Sequence, residues 1–378
     1  MKRGIALILA LLLTLAGCGS RQPETTASAE DSGPKQVGIC MPREEGRWIQ
    51  EAEEMKSQLE ALGYGVRIFY GESDPRLQAD QLRALAREKV ACIILAAVDS
   101  ALLTQEEQQA KAAGCKLIAY DRLLMDTDAV ACFVGYDSLG MGRAVAQRIV
   151  QQKRLDTAGE QGEQHTIEFF MGAPEDHNAF LFHRGVMEVL GPYLDGGELV
   201  CRTGRTAFED TCVVDWSAEL AQQSCGGYLG EYYPGETPDI LCAASDDLAL
   251  GCIRALEVLE APAAQWPYVT GCGGENSEVL EDGRQALTVE TYPRVLVKRC
   301  VEAADALLRG EDPPVNDTES CHNNVMAVPA YLCSFLVKEG KYPPKAPSAE
   351  KTENSEGVGE TPAPSLFFSV LSRIRHNA

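Results

Sequence analysis

Hydrophobic residues in the central part of the chain follow two spacings that alternate. Val37 to Met41 is a short continuous apolar run, which is typical of a buried strand. Apolar positions from Trp48 to Leu62 then recur every three to four residues, which predicts a helix that ends at Gly63. The same alternation predicts strand 66–70, helix 75–89, strand 90–98, helix 101–113 and strand 115–120.

The alternation resumes in the second half of the chain. It predicts helix 138–152, strand 166–171, helix 179–190, strand 197–201, helix 217–230, strand 239–244, helix 246–259, and strands 268–272 and 286–291. Strands that are apolar throughout need helices on both faces, so we expect an α/β fold with one or two parallel, doubly wound sheets. The stretch from residue 36 to residue 342 is long enough for two domains.

Acidic residues follow several of these strands, at the edge where doubly wound sheets bind ligands. Each alone has an alternative interpretation as a helix N-cap. The segment Ala119 to Leu123 adds a basic neighbour, Arg122. A carboxylate accepts hydrogen bonds and a guanidinium donates them, so the pair suits a sugar hydroxyl, which does both. The strand-end carboxylates are Asp99, Asp121, Asp137 and Asp246.

Composition narrows the classes of function. Asp and Glu number 56 against 34 Lys and Arg, for a net charge of -22, which disfavours nucleic acid and anionic lipid as partners. The five histidines and fourteen cysteines show no metal-ligand spacing, so we expect no metal and no cofactor. Thirteen cysteines besides Cys18 lie mostly in apolar runs, which favours buried free thiols and a reducing habitat.

The N-terminus predicts export. Lys2 and Arg3 precede the apolar run Ile5 to Leu15, which is too short to span a bilayer and is typical of a secretory signal over residues 1–17. The run ends in Leu-Ala-Gly-Cys, which looks like a lipobox and predicts lipid attachment at Cys18 on the extracytoplasmic face of the membrane. A plain signal peptide with an incidental cysteine is the alternative. Residues 18–35 are small and polar, which predicts a flexible tether.

The C-terminal residues 343–378 form a further segment. Their first part is polar and proline-rich, which predicts a disordered linker. Ser365 then precedes apolar residues at helical spacing, which predicts a short amphipathic tail. Docking of this tail on a membrane surface or a partner is one interpretation, and a frayed tail without function is the other.

Seven segments of the chain resemble the sugar-binding lipoproteins and periplasmic receptors of ABC importers, particularly the D-xylose and multiple-sugar receptors. The resemblance is collinear over residues 36 to about 342. It rests on MP (41–42), RWI (47–49), LAAVD (95–99), IAYDRL (118–123), GAPEDHNAF (172–180), SDDLALG (245–251) and PVNDT (314–318).

This resemblance implies two Rossmann-like lobes joined by three hinge strands, of the type I periplasmic binding protein fold. They would close on a monosaccharide, a xylose-like pentose or related aldose, and a monomer would deliver it to an ABC permease. The implied lobes are residues 36–136 with 292–320, and 137–291 with 321–342. The implied crossings lie near Asp137, near Thr291 and between Cys321 and Val328.

The resemblance also implies a set of ligand-binding residues. Arg47 would donate to hydroxyls, and Trp48 would offer its ring to the C–H face of the sugar, unless it serves ordinary core packing. Asp121 and Arg122 would form a clamp, flanked by Asp99 and Asp137. The second lobe would contribute Asn178, Trp216, Ser245 and Asp246, with core packing again the alternative for Trp216.

The chain departs from the xylose receptors at four positions. It carries Ser245 for Asn, Gly273 for Asp, Thr291 for Lys and Ser138 for Asn. Each lost bond to an ionised group costs roughly 1.5–3 kcal/mol, so either the ligand differs or the affinity is low.

Two other functions remain open from the sequence. A glycosidase would need facing carboxylates, and the adjacent pairs Glu175-Asp176 and Asp246-Asp247 point apart, so we expect no enzyme. A sugar sensor that presents its closed form to a membrane kinase or chemoreceptor would use the same lobe closure as a transport receptor.

Overall fold

The structure is a computed structural model that describes residues 33–274 and 276–344. Its strands are β1 (Gln36–Met41), β2 (Gly65–Tyr70), β3 (Cys92–Leu95), β4 (Lys116–Tyr120), β5 (Val130–Tyr136), β6 (His165–Phe170), β7 (Leu199–Val200), β8 (Ile240–Ala243), β9 (Tyr268–Val269), β10 (Cys272–Gly273), β11 (Leu287–Glu290), β12 (Ala330–Cys333) and β13 (Leu336–Glu339). Its α-helices are α1 (Arg47–Ala61), α2 (Pro75–Glu88), α3 (Thr104–Ala112), α4 (Ser138–Lys153), α5 (Leu155–Gln161), α6 (His177–Gly196), α7 (Phe208–Thr211), α8 (Ala218–Tyr232), α9 (Asp246–Val258), α10 (Ser277–Glu281) and α11 (Pro293–Arg309).

The first lobe is a three-layer α/β sandwich. Its six parallel strands lie in the order β12-β5-β4-β3-β1-β2. Apolar residues of α1 and α11 pack on one face of the sheet, and those of α2 and α3 pack on the other. This arrangement brings the carboxyl ends of the strands to one edge, where the loops carry the candidate binding residues.

The second lobe repeats the layered arrangement with two smaller sheets. Strands β7-β6-β8-β9 are parallel, and β10-β11-β13 form a second sheet in which β13 runs antiparallel to β11. Helices α4 and α6 cover one face, and α8 and α9 cover the other. The expected two doubly wound lobes are therefore confirmed, except that β13 is antiparallel.

The chain crosses three times between the lobes. It leaves the first lobe after Tyr136 and returns after Glu290, close to the expected positions. The expected third crossing between Cys321 and Val328 is wrong, because β12 pairs with β5 of the first sheet and the crossing follows Cys333.

Residues 321–333 accordingly belong to the first lobe. The Asn323 amide donates to the carbonyl oxygens of Leu124 (3.0 Å) and Thr127 (2.6 Å), and Val328 is buried in the same core. A short apolar run fits the edge of either sheet, so hydrophobic pattern alone does not determine its lobe.

Several predicted features concern other parts of the chain. Cys18, most of the tether and nearly all of residues 343–378 lie outside the described residues. Within the described part, no helix has the length and apolar character needed to cross a bilayer. The thirteen cysteines of that part are free, and most are buried.

Candidate ligand-binding site

A cavity of about 210 Å³ lies between the two lobes. Loops that follow β1, β4 and β8 line it, together with the first turns of α1, α4 and α6. The structure brings eight of the predicted residues to its walls: Arg47, Trp48, Asp121, Arg122, Asn178, Trp216, Ser245 and Asp246.

Arg47 and Asp121 form the polar centre of the first-lobe wall. Arg47 Nη2 donates to Asp121 Oδ2 at 2.9 Å, and Nη1 donates to Glu51 Oε1 at 3.0 Å. Tyr120 donates its hydroxyl to the second oxygen of Glu51 at 2.7 Å. Among the described residues no group is hydrogen-bonded to Asp121 Oδ1, so this oxygen remains an acceptor for a ligand.

Burial shapes the electrostatics of this network. Desolvation raises the pKa of Glu51, and the neighbouring Arg47 charge opposes that rise. The carboxylates of Asp121 and Glu51 more than offset the burial of Arg47 and raise its pKa. The guanidinium therefore stays charged, and its remaining N–H groups can donate to ligand hydroxyls.

Trp48 forms an apolar surface beside these charges. The residue is 5% exposed, and the guanidinium carbon of Arg47 lies 3.9 Å from the centroid of its ring. The corresponding distance for Arg122 is 5.6 Å. Such cation–π contacts fix both the ring and the guanidinium groups. Trp48 also packs in the first-lobe core, so it contributes to the core as well as to the cavity wall.

Arg122 contacts residues of both lobes. Its Nη1 donates to the carbonyl oxygens of Ala97 (2.9 Å) and Val98 (3.1 Å) in the first lobe. Its Nε lies 3.0 Å from Asp176 Oδ2 of the second lobe, an ion pair whose N–H is not aligned for a hydrogen bond. Both side chains are buried, so this pair joins the lobes directly.

Further hydrogen bonds cross the cleft. Asn178 of the second lobe donates its amide to the Asp121 carbonyl oxygen at 2.9 Å and accepts from the Ser138 hydroxyl at 3.1 Å. Ser100 of the first lobe donates its backbone N–H to Glu175 O at 3.2 Å. The structure is therefore a closed form in which the lobes contact each other around the cavity.

Asp246 anchors the second-lobe wall. Its Oδ1 accepts from Gln285 (2.7 Å) and Thr288 (2.8 Å), and its Oδ2 accepts from the Gly274 N–H at 2.8 Å. This network fixes the loop after β10, so Asp246 organises the wall through its neighbours. Ser245 lines the cavity and caps α9 by accepting from the Leu248 N–H at 3.2 Å.

Asp99 and Asp137 lie outside the cavity wall. Asp99 accepts from the N–H groups of Ala101 and Leu102, and Asp137 caps α4 by accepting from Gly140 N–H at 2.8 Å. For these two strand-end carboxylates the structure favours the capping interpretation.

Comparisons with family models, curated proteins and solved structures agree on the family of this chain. The periplasmic binding protein domain matches residues 37–312. The chain belongs to the periplasmic binding protein family. Its members are binding proteins, so the expectation that the chain is no enzyme is confirmed.

Three relatives illustrate the similarity. The multiple sugar-binding periplasmic receptor ChvE of Rhizobium radiobacter is 33% identical over 85% of this chain and 91% of its own length. The D-xylose-binding periplasmic protein of Escherichia coli is 26% identical over 76% of this chain and 81% of its own. A solute-binding protein of Clostridium phytofermentans, solved with bound β-D-glucose, is 34% identical with a TM-score of 0.75 and covers 81% of this chain and 94% of its own.

The binding protein also has cavity residues that the sequence interpretation missed. Asp176 caps α6, accepting from Asn178 N–H at 3.0 Å, and lay within a segment already chosen for resemblance. Tyr136 ends β5, a strand absent from the prediction. Asp247 likewise lay within a segment chosen for resemblance, next to Asp246. No sequence signal marked the others as ligand-facing: Arg43, Met141, Phe182, Ala244, Cys272 and Pro293.

The departures from the xylose receptors all lie at the cavity of this binding protein. Thr291 donates to Gly273 O at 3.2 Å, and Gly273 has φ 136°, a conformation that side chains rarely adopt. Gly273 therefore occupies a backbone conformation that an aspartate would rarely adopt. Among the described residues no metal-binding cluster of three or more His, Cys, Asp or Glu occurs.

Proposed function

We propose that this chain is an extracytoplasmic receptor that captures one monosaccharide by lobe closure and delivers it to an ABC permease. The observation that carries the proposal is the Arg47–Asp121 pair, which presents charged donors and a free acceptor oxygen beside the Trp48 ring in a cleft closed by both lobes. This combination matches a sugar, which has hydroxyls at its rim and C–H groups on its faces.

The charges of the cleft support a neutral ligand. Three arginines and four aspartates line it: Arg43, Arg47, Arg122, Asp121, Asp176, Asp246 and Asp247. Arg47 and Arg122 already have carboxylate partners within the protein, and Arg43 has Glu45. An anionic ligand such as a phosphate or a sugar acid would therefore find no free positive charge to pair with. A neutral aldose does not require such a charge.

The size of the cavity supports a single sugar ring. Pockets for drug-sized ligands typically have volumes of about 300–1,000 Å³, and this cavity has about 210 Å³. The names of the relatives support an aldose of the xylose or glucose type. The changed positions Ser245, Gly273 and Thr291 argue against plain inheritance of the xylose specificity.

The experiment that tests the proposal is a thermal-shift screen of pentoses and hexoses on the purified protein, followed by calorimetry. A ligand that binds only the folded protein stabilises it by roughly 2.7 kcal/mol at a hundredfold excess over its Kd, which is readily measured. At least one sugar should bind saturably. The protein should not hydrolyse aryl glycosides. Absence of any saturable aldose binding would refute the proposal.

The membrane attachment is a separate part of the proposal. The Leu-Ala-Gly-Cys sequence supports lipid attachment at Cys18, which would hold the receptor near a permease. A Cys18→Ala protein should be released into the soluble fraction, as judged by membrane fractionation. Unchanged membrane association of this variant would rule out the anchor.

A further inference from the structure

One part of the cavity wall differs in chemistry from the rest. Met141 of α4, Phe182 of α6, Ala244 after β8 and Cys272 of β10 together form an apolar surface in the second lobe, here named the sulfur wall. Met141, Phe182 and Ala244 are each at most 4% exposed. Cys272 Sγ lies 3.9 Å from Met141 Sδ and donates to it, so the two sulfur atoms form one continuous surface.

The sulfur wall offers no strong hydrogen-bond partner. A thioether sulfur is a weak acceptor, and the Cys272 thiol already donates to Met141. Burial raises the pKa of Cys272 far above neutrality, so no thiolate forms there. A ligand hydroxyl that faced this wall would lose its water without gaining a partner of comparable strength.

We infer that the bound aldose presents an apolar edge to the sulfur wall, and that the receptor prefers a 6-deoxyhexose, whose methyl group replaces a hydroxymethyl group. The inference rests on the proposed function and adds the substrate class. The opposite wall supplies the polar partners through Arg47 and Asp121. A methyl group gains contact with Met141 and Phe182, whereas a hydrogen atom in its place leaves part of the wall uncovered.

Two sets of three sugars test the preference, because the members of each set differ only in the substituent on C5 of the pyranose ring. D-fucose, D-galactose and L-arabinose share one ring configuration and carry CH3, CH2OH and H at that position. 6-Deoxy-D-glucose, D-glucose and D-xylose form the second triad. By calorimetry on the purified protein, the methyl sugar of the better-binding triad should bind at least tenfold more tightly than its hydroxymethyl partner, because the latter buries an unpaired hydroxyl.

Substitution of the wall tests the cause. Cys272→Ser places a hydroxyl in the wall, so the preference for methyl over hydroxymethyl should fall to less than threefold. Cys201→Ser is the matched control, because Cys201 is a half-buried second-lobe thiol outside the cavity wall that is already hydrogen-bonded to Glu168 and Thr203. It should keep the tenfold preference.

The outcomes separate this inference from the proposed function. If a hydroxymethyl sugar or a pentose binds as tightly as the methyl sugar of its triad, the inference is wrong while the sugar receptor stands. A Cys272→Ser protein that keeps the full preference likewise refutes the role of the wall. If no member of either triad binds although another aldose of the screen does, the inference is wrong, and if no aldose binds at all, the proposed function itself fails.

Discussion

The Arg122 guanidinium contributes to the free energy that is needed to separate the two lobes. Its hydrogen bonds to Ala97 O and Val98 O hold it in the first lobe, while Asp176 of the second lobe neutralises it. Removing one member of a buried ion pair leaves an uncompensated charge, which costs about 3–5 kcal/mol. We therefore expect an Arg122→Ala protein to lose closure and stability together, which makes it a poor test of ligand contact.

Glu107 provides a prediction on pH dependence. Its side chain is fully buried, and burial raises its pKa to about 8, while the nearby Thr127 hydroxyl opposes that rise. The neutral form is therefore favoured in the folded protein. Its contribution to stability is present below the ordinary pKa of 4.5 and is lost as pH rises through about 8.

Replacing Glu107 with Gln removes this ionisation. Wild type should lose about 3–5 kcal/mol of unfolding free energy between pH 5 and pH 9 from this group, and the Glu107→Gln protein should lose correspondingly less. Urea denaturation at the two pH values measures the difference. Glu53→Gln, at an exposed position of α1, serves as the control, and equal pH dependence of all three proteins would contradict the assignment.

For single residues, the sequence predicted which side chains lie near the cleft better than it predicted their hydrogen-bond partners. The sequence paired Asp121 with Arg122, and the structure adds a partner that was not expected: Asp121 adopts a left-handed backbone with φ 62° and accepts a hydrogen bond from Arg47. Asp99 and Asp137 resemble Asp121 in sequence context yet cap backbone N–H groups. Whether a strand-end carboxylate faces a cleft or caps a turn depends on the loop conformation after it, which residue type alone does not specify.

Most continuous apolar runs and amphipathic helices were predicted, but several short elements, the inner strand β5 and the long helix α11 were missed. Helices predicted over 75–89 and 138–152 differ from α2 and α4 by one residue at the C-terminal end. The predicted strand 90–98 is only Cys92–Leu95, and β5, α5, α11, β12 and β13 were absent from the prediction. Glycine in β5 and the mixed burial of β13 weaken the periodic signal that identifies a strand.

The contact between α4 and α6 yields a second prediction. A Cβ atom on Gly185 of α6 would lie 2.2 Å from the Leu139 carbonyl oxygen of α4, so the two helix backbones approach too closely for a side chain. Gly185→Ala should therefore lower the unfolding free energy by about 1–3 kcal/mol. Urea denaturation measures this loss.

An exposed glycine in another helix supplies the control. Gly227 of α8 has no atom within 4 Å of a Cβ built on it. Gly227→Ala should be neutral or stabilising by up to about 1 kcal/mol, because alanine favours helix. A Gly185→Ala protein as stable as wild type would show that the helices can separate at no cost.

For the whole molecule, the family resemblance predicted two lobes with a cleft between them. Two of the three predicted chain crossings between the lobes lie close to the observed ones. The contacts that hold the closed form were not predictable, because they join residues distant in sequence whose meeting depends on the hinge angle. The Arg122–Asp176 ion pair and the Asn178 bond to Asp121 O are of this kind. They stabilise closure before any sugar contributes its own contacts.

A third prediction follows for lobe closure. Asp176→Asn retains an acceptor for the cap of α6 but removes the charge opposite Arg122. The ligand-free variant should be more open, with a larger radius of gyration by small-angle X-ray scattering and weaker sugar binding. Asp74→Asn, which alters the cap of α2 away from the cleft, should match wild type. Identical scattering and affinity for both variants would show that the ion pair does not control closure.

The central claim, that a monosaccharide binds at the Arg47–Asp121 pair between the lobes, is tested most directly by calorimetry of Asp121→Asn with the best sugar of the screen. Asparagine tolerates the left-handed backbone of this position, so the melting midpoint of the unliganded protein should change little. Loss of the carboxylate weakens the charge-assisted bonds of this side chain to the ligand and to Arg47, so binding should weaken by about 100-fold relative to wild type and Asp74→Asn. Undiminished binding by Asp121→Asn would contradict the proposed site.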